Sequence, residues 1–264
     1  MKPNSPILLF DTGVGGLSVL QEVRSLLPDA PVIYAADMAG MPYGEKTEGE
    51  VTARVCGLLG RMSERYQPRL ACIACNTAST IALHMVRDVL EVPVVGTVPA
   101  IKPAAAMTRT GVVGLLGTAG TIRQPYVDQL EQDFAADKLL LRHAAPDLVG
   151  CAEAKLRGQI PDAAAIARAA AGLRDQPGGD RIDTVILACT HFPFLEDELR
   201  EHFGATTQFV HGGEGIARRI ATLTEGQSFD RGEADYAVHV GDAPLLDGNP
   251  QLLEAFGLAR SVRF

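Results

Sequence analysis

Short, almost unbroken apolar runs recur along this chain: ILLFD (7–11), VIYAAD (32–37), LACIAC (70–75), VPVVG (92–96), GVVGLLG (111–117), KLLLRH (138–143) and TVILAC (184–189). Runs of this length and continuity belong to strands buried on both faces, the kind found in parallel sheets. Between them the apolar residues switch to helical spacing. Leu17, Leu20, Val23 and Leu27 form one such face, and Val51, Val55, Leu58, Leu59, Met62 and Tyr66 form another. Strands alternating with amphipathic helices predict an α/β fold with helices on both faces of each sheet.

Two of these runs are near-copies. LACIACNTAS carries Cys75 and TVILACTHFP carries Cys189, each as an apolar run, Ala-Cys, a small polar residue and a helix start. Upstream, GVVGLLGTAGTI echoes ILLFDTGVGGLSV, and a proline-bearing stretch from Thr97 to Pro103 separates the two halves. The expectation is two pseudo-symmetric parallel-sheet α/β domains with the active site in the cleft between them. Residues 1–97 plus 208–264 would form the first domain and 98–207 the second. The segment after about 205 (TTQFV, GGEGIARRIATL, DYAVHV) is expected to cross back to the first.

The whole chain narrows the function classes. Its 264 residues are 47 % hydrophobic, enough for one large or two modest cores. A net charge of -8 with no Lys/Arg cluster argues against nucleic acid as a partner. No apolar stretch reaches membrane-spanning length, and the apolar run near the N-terminus leads into Asp11 rather than a cleavage site. Five cysteines without a disulfide framework fit a reducing compartment, so a cytoplasmic location is expected.

Cys75 and Cys189 both sit where an α/β strand ends and a ligand binds. A thiol on each side of one carbon suits removal of a proton from one face and delivery to the other, which points to cofactor-free racemisation. Cysteine fits because its ordinary pKa of about 8.5 lies near neutrality. Both thiols precede expected helix starts, with Asn76-Thr77 capping one helix and Thr190 the other. Free cysteines in apolar runs are usually inert small hydrophobes, and Cys56, Cys72 and Cys151 are read that way. Cys72-Ile-Ala-Cys75 with Cys189-Thr-His191 offers a competing zinc or redox site. Against it, residues three apart on a strand face opposite ways.

Asp11, followed by Thr12-Gly13-Val14-Gly15-Gly16, is placed to orient or deprotonate a thiol. As a nucleotide signal that glycine cluster is weak, because it lacks the G-x-G-x-x-G spacing. His191, two residues beyond Cys189, is placed to serve the second thiol. Asn76, Thr77, Thr118, Thr121, Thr190, Tyr43 and the amide of Gly44 supply a polar lining for a zwitterion. No lysine is placed for a Schiff base and no metal motif is present, so neither cofactor nor metal is expected.

With these residues assembled, the chain resembles the glutamate racemases of the aspartate/glutamate racemase superfamily, collinearly over nearly its whole length. FDTGVGGLSVL is similar to the opening D-[ST]-G-x-G-G motif, MPYGEK to the P-Y-G segment, and VVGLLGTAGTI to the second-domain threonine loop. ACNTAS and ACTHFPFL carry the two cysteines. The resemblance implies Cys75 and Cys189 as the acid/base pair, Asp11 assisting the first, and His191 with an acidic residue assisting the second. DLVGCAEA puts Glu153 at that acidic position. It implies substrate contacts from Asp11, Thr12, Tyr43, Gly44, Asn76, Thr77, Thr190 and His191, and glutamate as substrate. It also implies D-glutamate production for peptidoglycan synthesis and homodimers as a common assembly. In the L-to-D direction Cys189 would remove the proton and Cys75 return one.

The departures from the pattern remove no catalytic group, and Thr12 standing where serine is commoner is a mild one. ADMAGMPYG loses polar groups at Met38 and Gly40, and Lys155 stands where glycine is common. Two alternatives stay open at this level. One is a racemase of another acidic amino acid such as aspartate, and the other is a non-catalytic protein that binds an acidic ligand.

Overall fold

The computed structural model describes residues 2–232 and 235–264. It divides into two compact units, Met1–Thr97 with Gly213–Phe264, and Val98–Gly212. The strands are β1 (Ile7–Asp11), β2 (Val32–Ala36), β3 (Leu70–Ile73), β4 (Val94–Val95), β5 (Val112–Gly117), β6 (Leu139–Ala144), β7 (Thr184–Ala188), β8 (Gln208–His211), β9 (Tyr236–His239) and β10 (Ser261–Arg263). The helices are α1 (Leu17–Leu26), α2 (Glu48–Tyr66), α3 (Asn76–Val89), α4 (Ile101–Met107), α5 (Ala119–Ile122), α6 (Pro125–Phe134), α7 (Asp147–Leu156), α8 (Ala163–Arg174), α9 (Glu196–Phe203), α10 (Gly213–Leu223) and α11 (Pro250–Glu254).

The first unit holds a sheet of order β10-β9-β2-β1-β3-β4 and the second a sheet of order β6-β5-β7-β8. Every pairing in both is parallel. The continuous apolar runs are thus explained by sheets with two covered faces, as expected. In the first unit Leu8, Phe10, Ile33, Ala35 and Ile73 pack against Val51, Val55, Leu59 and Met62 of α2 and Ile81, Ala82 and Val86 of α3. Ile7 and Leu9, which alternate to the other face, are equally buried. In the second unit Leu116, Val185 and Leu187 face α7, α8 and α9, while Val113, Leu115 and Ile186 face α4 and α6.

Strand order fixes where function can sit. The chain steps from β1 out to β2 and then returns across β1 to β3. It repeats that move from β5 to β6 and back across β5 to β7. Helices leaving in opposite directions open a crevice at the C-terminal ends of β1 and β3, and at those of β5 and β7. That switch point is where open α/β sheets bind ligands.

Several expected details shift. Residues 208–212, expected in the first domain, lie in the second unit, because β8 pairs with β7. The return to the first unit comes with α10 instead. Leu58 and Tyr66 of α2, and Leu27 just past the end of α1, are only half-buried. The short β10 and α11 near the C-terminus carry too little apolar periodicity to be read from sequence. No helix among the described residues is long and apolar enough to cross a membrane.

Candidate active site

At the first switch point the chain leaves β3 at Ile73, and the amide of Ala74 still donates to the Phe10 carbonyl at 2.8 Å. Cys75 follows as the N-cap of α3, and its sulfur accepts the amide hydrogen of Ala78 at 3.4 Å. The cysteine itself caps the helix; Asn76 and Thr77, expected as caps, are its first two helical residues. Both are buried. The helix N-terminus therefore directs an N–H group and the positive end of its dipole at the thiol, which favours the thiolate.

Asp11 ends the neighbouring strand β1 and is completely buried. Its Oδ1 accepts hydrogen bonds from the amides of Thr12 at 2.6 Å and Gly13 at 3.2 Å, and from the Thr12 hydroxyl at 3.3 Å. Gly16 must be glycine here, since a Cβ would lie 2.8 Å from Asp11 Cβ and 2.9 Å from the Tyr34 hydroxyl. Cys72 lies inside β3, fully buried. Burial, with the charge of Asp11 adding to it, pushes the Cys72 thiol far up, leaving it protonated and inert.

The loop after β2 brings a third group to the same edge. The Asp37 amide donates to the Asp11 carbonyl at 2.9 Å, and the buried Asp37 carboxylate accepts from the Tyr43 hydroxyl at 2.6 Å. Arg54 of α2 clamps that carboxylate through Nη2 at 2.6 Å and through Nε. Burial and the Asp37 charge, with Cys75 adding, push the Tyr43 phenol far up, so it remains protonated. Tyr43, expected to touch substrate, is buried and keeps its proton, which it donates to Asp37 in a hydrogen bond. The partly exposed Gly44 follows it in the same turn. Gly40, read from sequence as a lost polar group, is required: a Cβ there would collide with Asp37 Oδ2 and lie 2.7 Å from the Tyr43 ring.

At the second switch point Cys189 follows β7, and Thr118 follows β5. Cys189 does not head a helix. After it comes a single tight turn, Phe192–Leu195, before α9, and the residues at the caps of these two elements are His191 and Leu195 rather than Thr190. The second thiol is served by side chains instead. Its sulfur lies 3.8 Å from His191 Nδ1, and His191 Nε2 lies 3.2 Å from Glu153 Oε1. Thr190, His191 and Glu153 are all buried. Burial by itself would push the Glu153 carboxyl up. The hydrogen bonds and charges of His191 and Arg157 outweigh it and hold the group below the usual carboxylate range. The Thr118 hydroxyl accepts the Thr121 amide at 3.3 Å and lies 3.2 Å from the Thr121 hydroxyl, which places both groups at the end of β5. Lys155, the other departure, reaches Glu198 at 2.8 Å and ties α7 to α9.

Each unit therefore assembles its own half of the expected residues. Asp11, Thr12, Asn76 and Thr77 gather with Cys75, and Thr118, Thr121, Thr190, His191 and Glu153 with Cys189. Asp37 as the partner of Tyr43, together with Arg54 and Arg157, joins the site without standing among the residues expected from sequence. Asp37 had a signal, since it follows β2 as Asp11 ends β1. Arg157 had a weaker one, its i,i+4 spacing from Glu153. Among the described residues no group of His, Cys, Asp and Glu is arranged to hold a metal ion.

This arrangement has known counterparts. The sequence matches the family described as Asp/Glu/Hydantoin racemase over residues 17–219. The glutamate racemase of Sphingopyxis alaskensis is 64 % identical over 227 residues, covering 86 % of this chain and 85 % of that protein. The Escherichia coli K12 glutamate racemase is 44 % identical over 237 residues, covering 89 % and 81 %. The crystal structure of Escherichia coli glutamate racemase with L-glutamate and the activator UDP-MurNAc-Ala superposes with a TM-score of 0.90 at 39 % identity, covering 99 % of this chain and 98 % of that one.

Proposed function

The chain belongs to the Asp/Glu/hydantoin racemase family, and we propose that it interconverts L- and D-glutamate with two cysteines, Cys75 and Cys189, and no cofactor. The observation that carries this reading is the matched placement of the two thiols. Each stands at the switch point of its own parallel sheet, beside the loop that leaves the sheet's first strand.

The chemistry follows from the two environments. A thiolate takes the α-proton from one face of the amino acid, and the C–H electron pair passes into the adjacent carboxyl group. The opposite thiol gives its proton to the other face of the same carbon, ending as the thiolate. Proton and charge balance, and the two sulfurs exchange protonation states. In the L-to-D direction Cys189 is the base, with His191 and Glu153 behind it, and Cys75 is the acid. Asp11 attends Cys75. Thr12, Gly44, Asn76, Thr77, Thr118, Thr121 and Thr190 supply polar contacts to the substrate. Asp11, Tyr43 and His191 belong to the same set of substrate contacts, and Tyr43 also shapes the turn that carries Gly44. The D-glutamate formed would enter peptidoglycan synthesis in the cytoplasm.

Incubation with L-glutamate in deuterated water, without added metal or cofactor, tests this. Deuterium should enter the α-position of the D product, and Cys75→Ala or Cys189→Ala should stop net racemisation. A protein that only binds acidic ligands would exchange no α-proton.

A further inference from the structure

We propose that Arg157 is the outer positioning residue of the Cys189 relay: it holds the Glu153 carboxylate against His191 Nε2 and so presents His191 Nδ1 as the acceptor for the thiol proton. This rests on the reading of Cys189 as an acid/base. Arg157 occupies the C-cap of α7, and a Schellman-type cap fixes it there. The Gln159 amide donates to the Ala154 carbonyl at 2.9 Å, the Gly158 amide to the Lys155 carbonyl at 2.9 Å, and Gly158 takes φ +75°. The guanidinium turns back over the last helical turn. Its Nη1 donates to the Glu153 carbonyl at 3.1 Å and also to Glu153 Oε2. A cation there is favoured by the helix C-terminus as well as by the carboxylate.

The two carboxylate oxygens thus have different donors, Oε2 from Arg157 and Oε1 from His191. A neutral imidazole carries one N–H. With that hydrogen on Nε2 and given to Glu153, the Nδ1 lone pair faces the Cys189 sulfur at 3.8 Å. Transfer of the thiol proton to Nδ1 leaves a thiolate beside an imidazolium, whose charge Glu153 balances. The charged groups acting on Glu153 come from its own helix (Arg157) and from the turn after β7 (His191). Lys155 of α7 is directed to Glu198 of α9.

The test is the pH profile of kcat/KM for both enantiomers in wild type, Arg157→Gln, Arg157→Lys and Cys189→Ala. Removing a cation in contact with a buried carboxylate should move the acid limb of Arg157→Gln up by about one pH unit and lower the neutral rate about ten-fold. Arg157→Lys should restore most of both. An Arg157→Gln profile that superimposes on wild type, or falls by one factor at every pH, overturns the assignment. If Arg157→Gln does not fold, Gly158→Ala loosens the cap while keeping the charge. It should move the limb the same way, and an unmoved limb overturns the assignment. Racemisation surviving in Cys189→Ala would remove the two-thiol reading itself. A dead Cys189→Ala alongside an unmoved Arg157→Gln profile would remove only the role of Arg157.

Discussion

His191 Nδ1 stands 3.8 Å from the sulfur of Cys189, on the same tight connection after β7. The other thiol is prepared differently, by a helix N-terminus whose Ala78 amide donates to Cys75 at 3.4 Å. One cysteine has an imidazole to receive its proton and the other has a dipole to stabilise its anion. Under the proposed two-thiol mechanism the sulfurs would exchange protonation states in every turnover, and neither device requires a permanently ionised sulfur.

His191→Asn keeps a similar volume and removes the proton acceptor. It should lower kcat/KM by about a hundred-fold or more. The equilibrium constant between enantiomers is fixed at unity, so the loss must be equal in both directions, while kcat and KM separately need not change alike. Initial rates from L- and D-glutamate check this; wild-type rates would remove His191 from the relay.

Cys72 and Cys75 are three residues apart and should behave as unrelated groups. Cys72→Ala should racemise at close to the wild-type rate, whereas Cys75→Ala should not racemise at all. In the native protein iodoacetamide should modify Cys75 well ahead of the fully buried Cys72, as peptide mass mapping would show. Equal loss of activity in both variants would bring back the zinc or redox reading of the C-x-x-C pattern.

The ionisation of Glu153 also predicts a pH dependence of stability. Its folded carboxyl is held below its unfolded value, so its contribution is complete above about pH 4.3 and is lost as the pH falls through the folded value. The melting temperature of wild type should therefore drop more steeply below that pH than that of Glu153→Gln. Parallel melting curves across the acid range would contradict the Arg157–Glu153–His191 chain.

Arg54→Met leaves the Asp37 carboxylate buried without its cation. That should destabilise the fold by about 3 kcal/mol, read by denaturant unfolding. Gly40→Ala attacks the same cluster sterically, since its methyl group would enter the space of Asp37 Oδ2. Both should raise KM through the Tyr43–Gly44 turn more than they lower kcat. A large fall in kcat at unchanged KM would mean that this cluster serves the proton transfer instead.

Most of the sheet was legible because burial on both faces leaves unbroken apolar runs, as in ILLFD and TVILA. The cysteines were legible because two copies of one strand-end motif survive. Other features depended on contacts that no local pattern encodes. The pairing of β8 with β7 sets the return point at Gly213, and residues 208–212 read equally well on either side of it. Thr190 has the right chemistry for a cap, yet the Pro193-containing turn delays the helix until Glu196. The clamp of Arg54 on Asp37 joins residues 17 apart across two elements, beyond the reach of any spacing rule. Gly40 misled because a missing side chain reads as lost polarity when its cause is a close approach.

The most direct measurement is the circular dichroism of L-glutamate incubated with purified protein, Cys75→Ala and Cys189→Ala in metal- and cofactor-free buffer. Two-thiol racemisation requires the wild-type signal to decay to zero and both variant signals to persist. Decay to zero with either variant, or a stable signal with wild type, would contradict it.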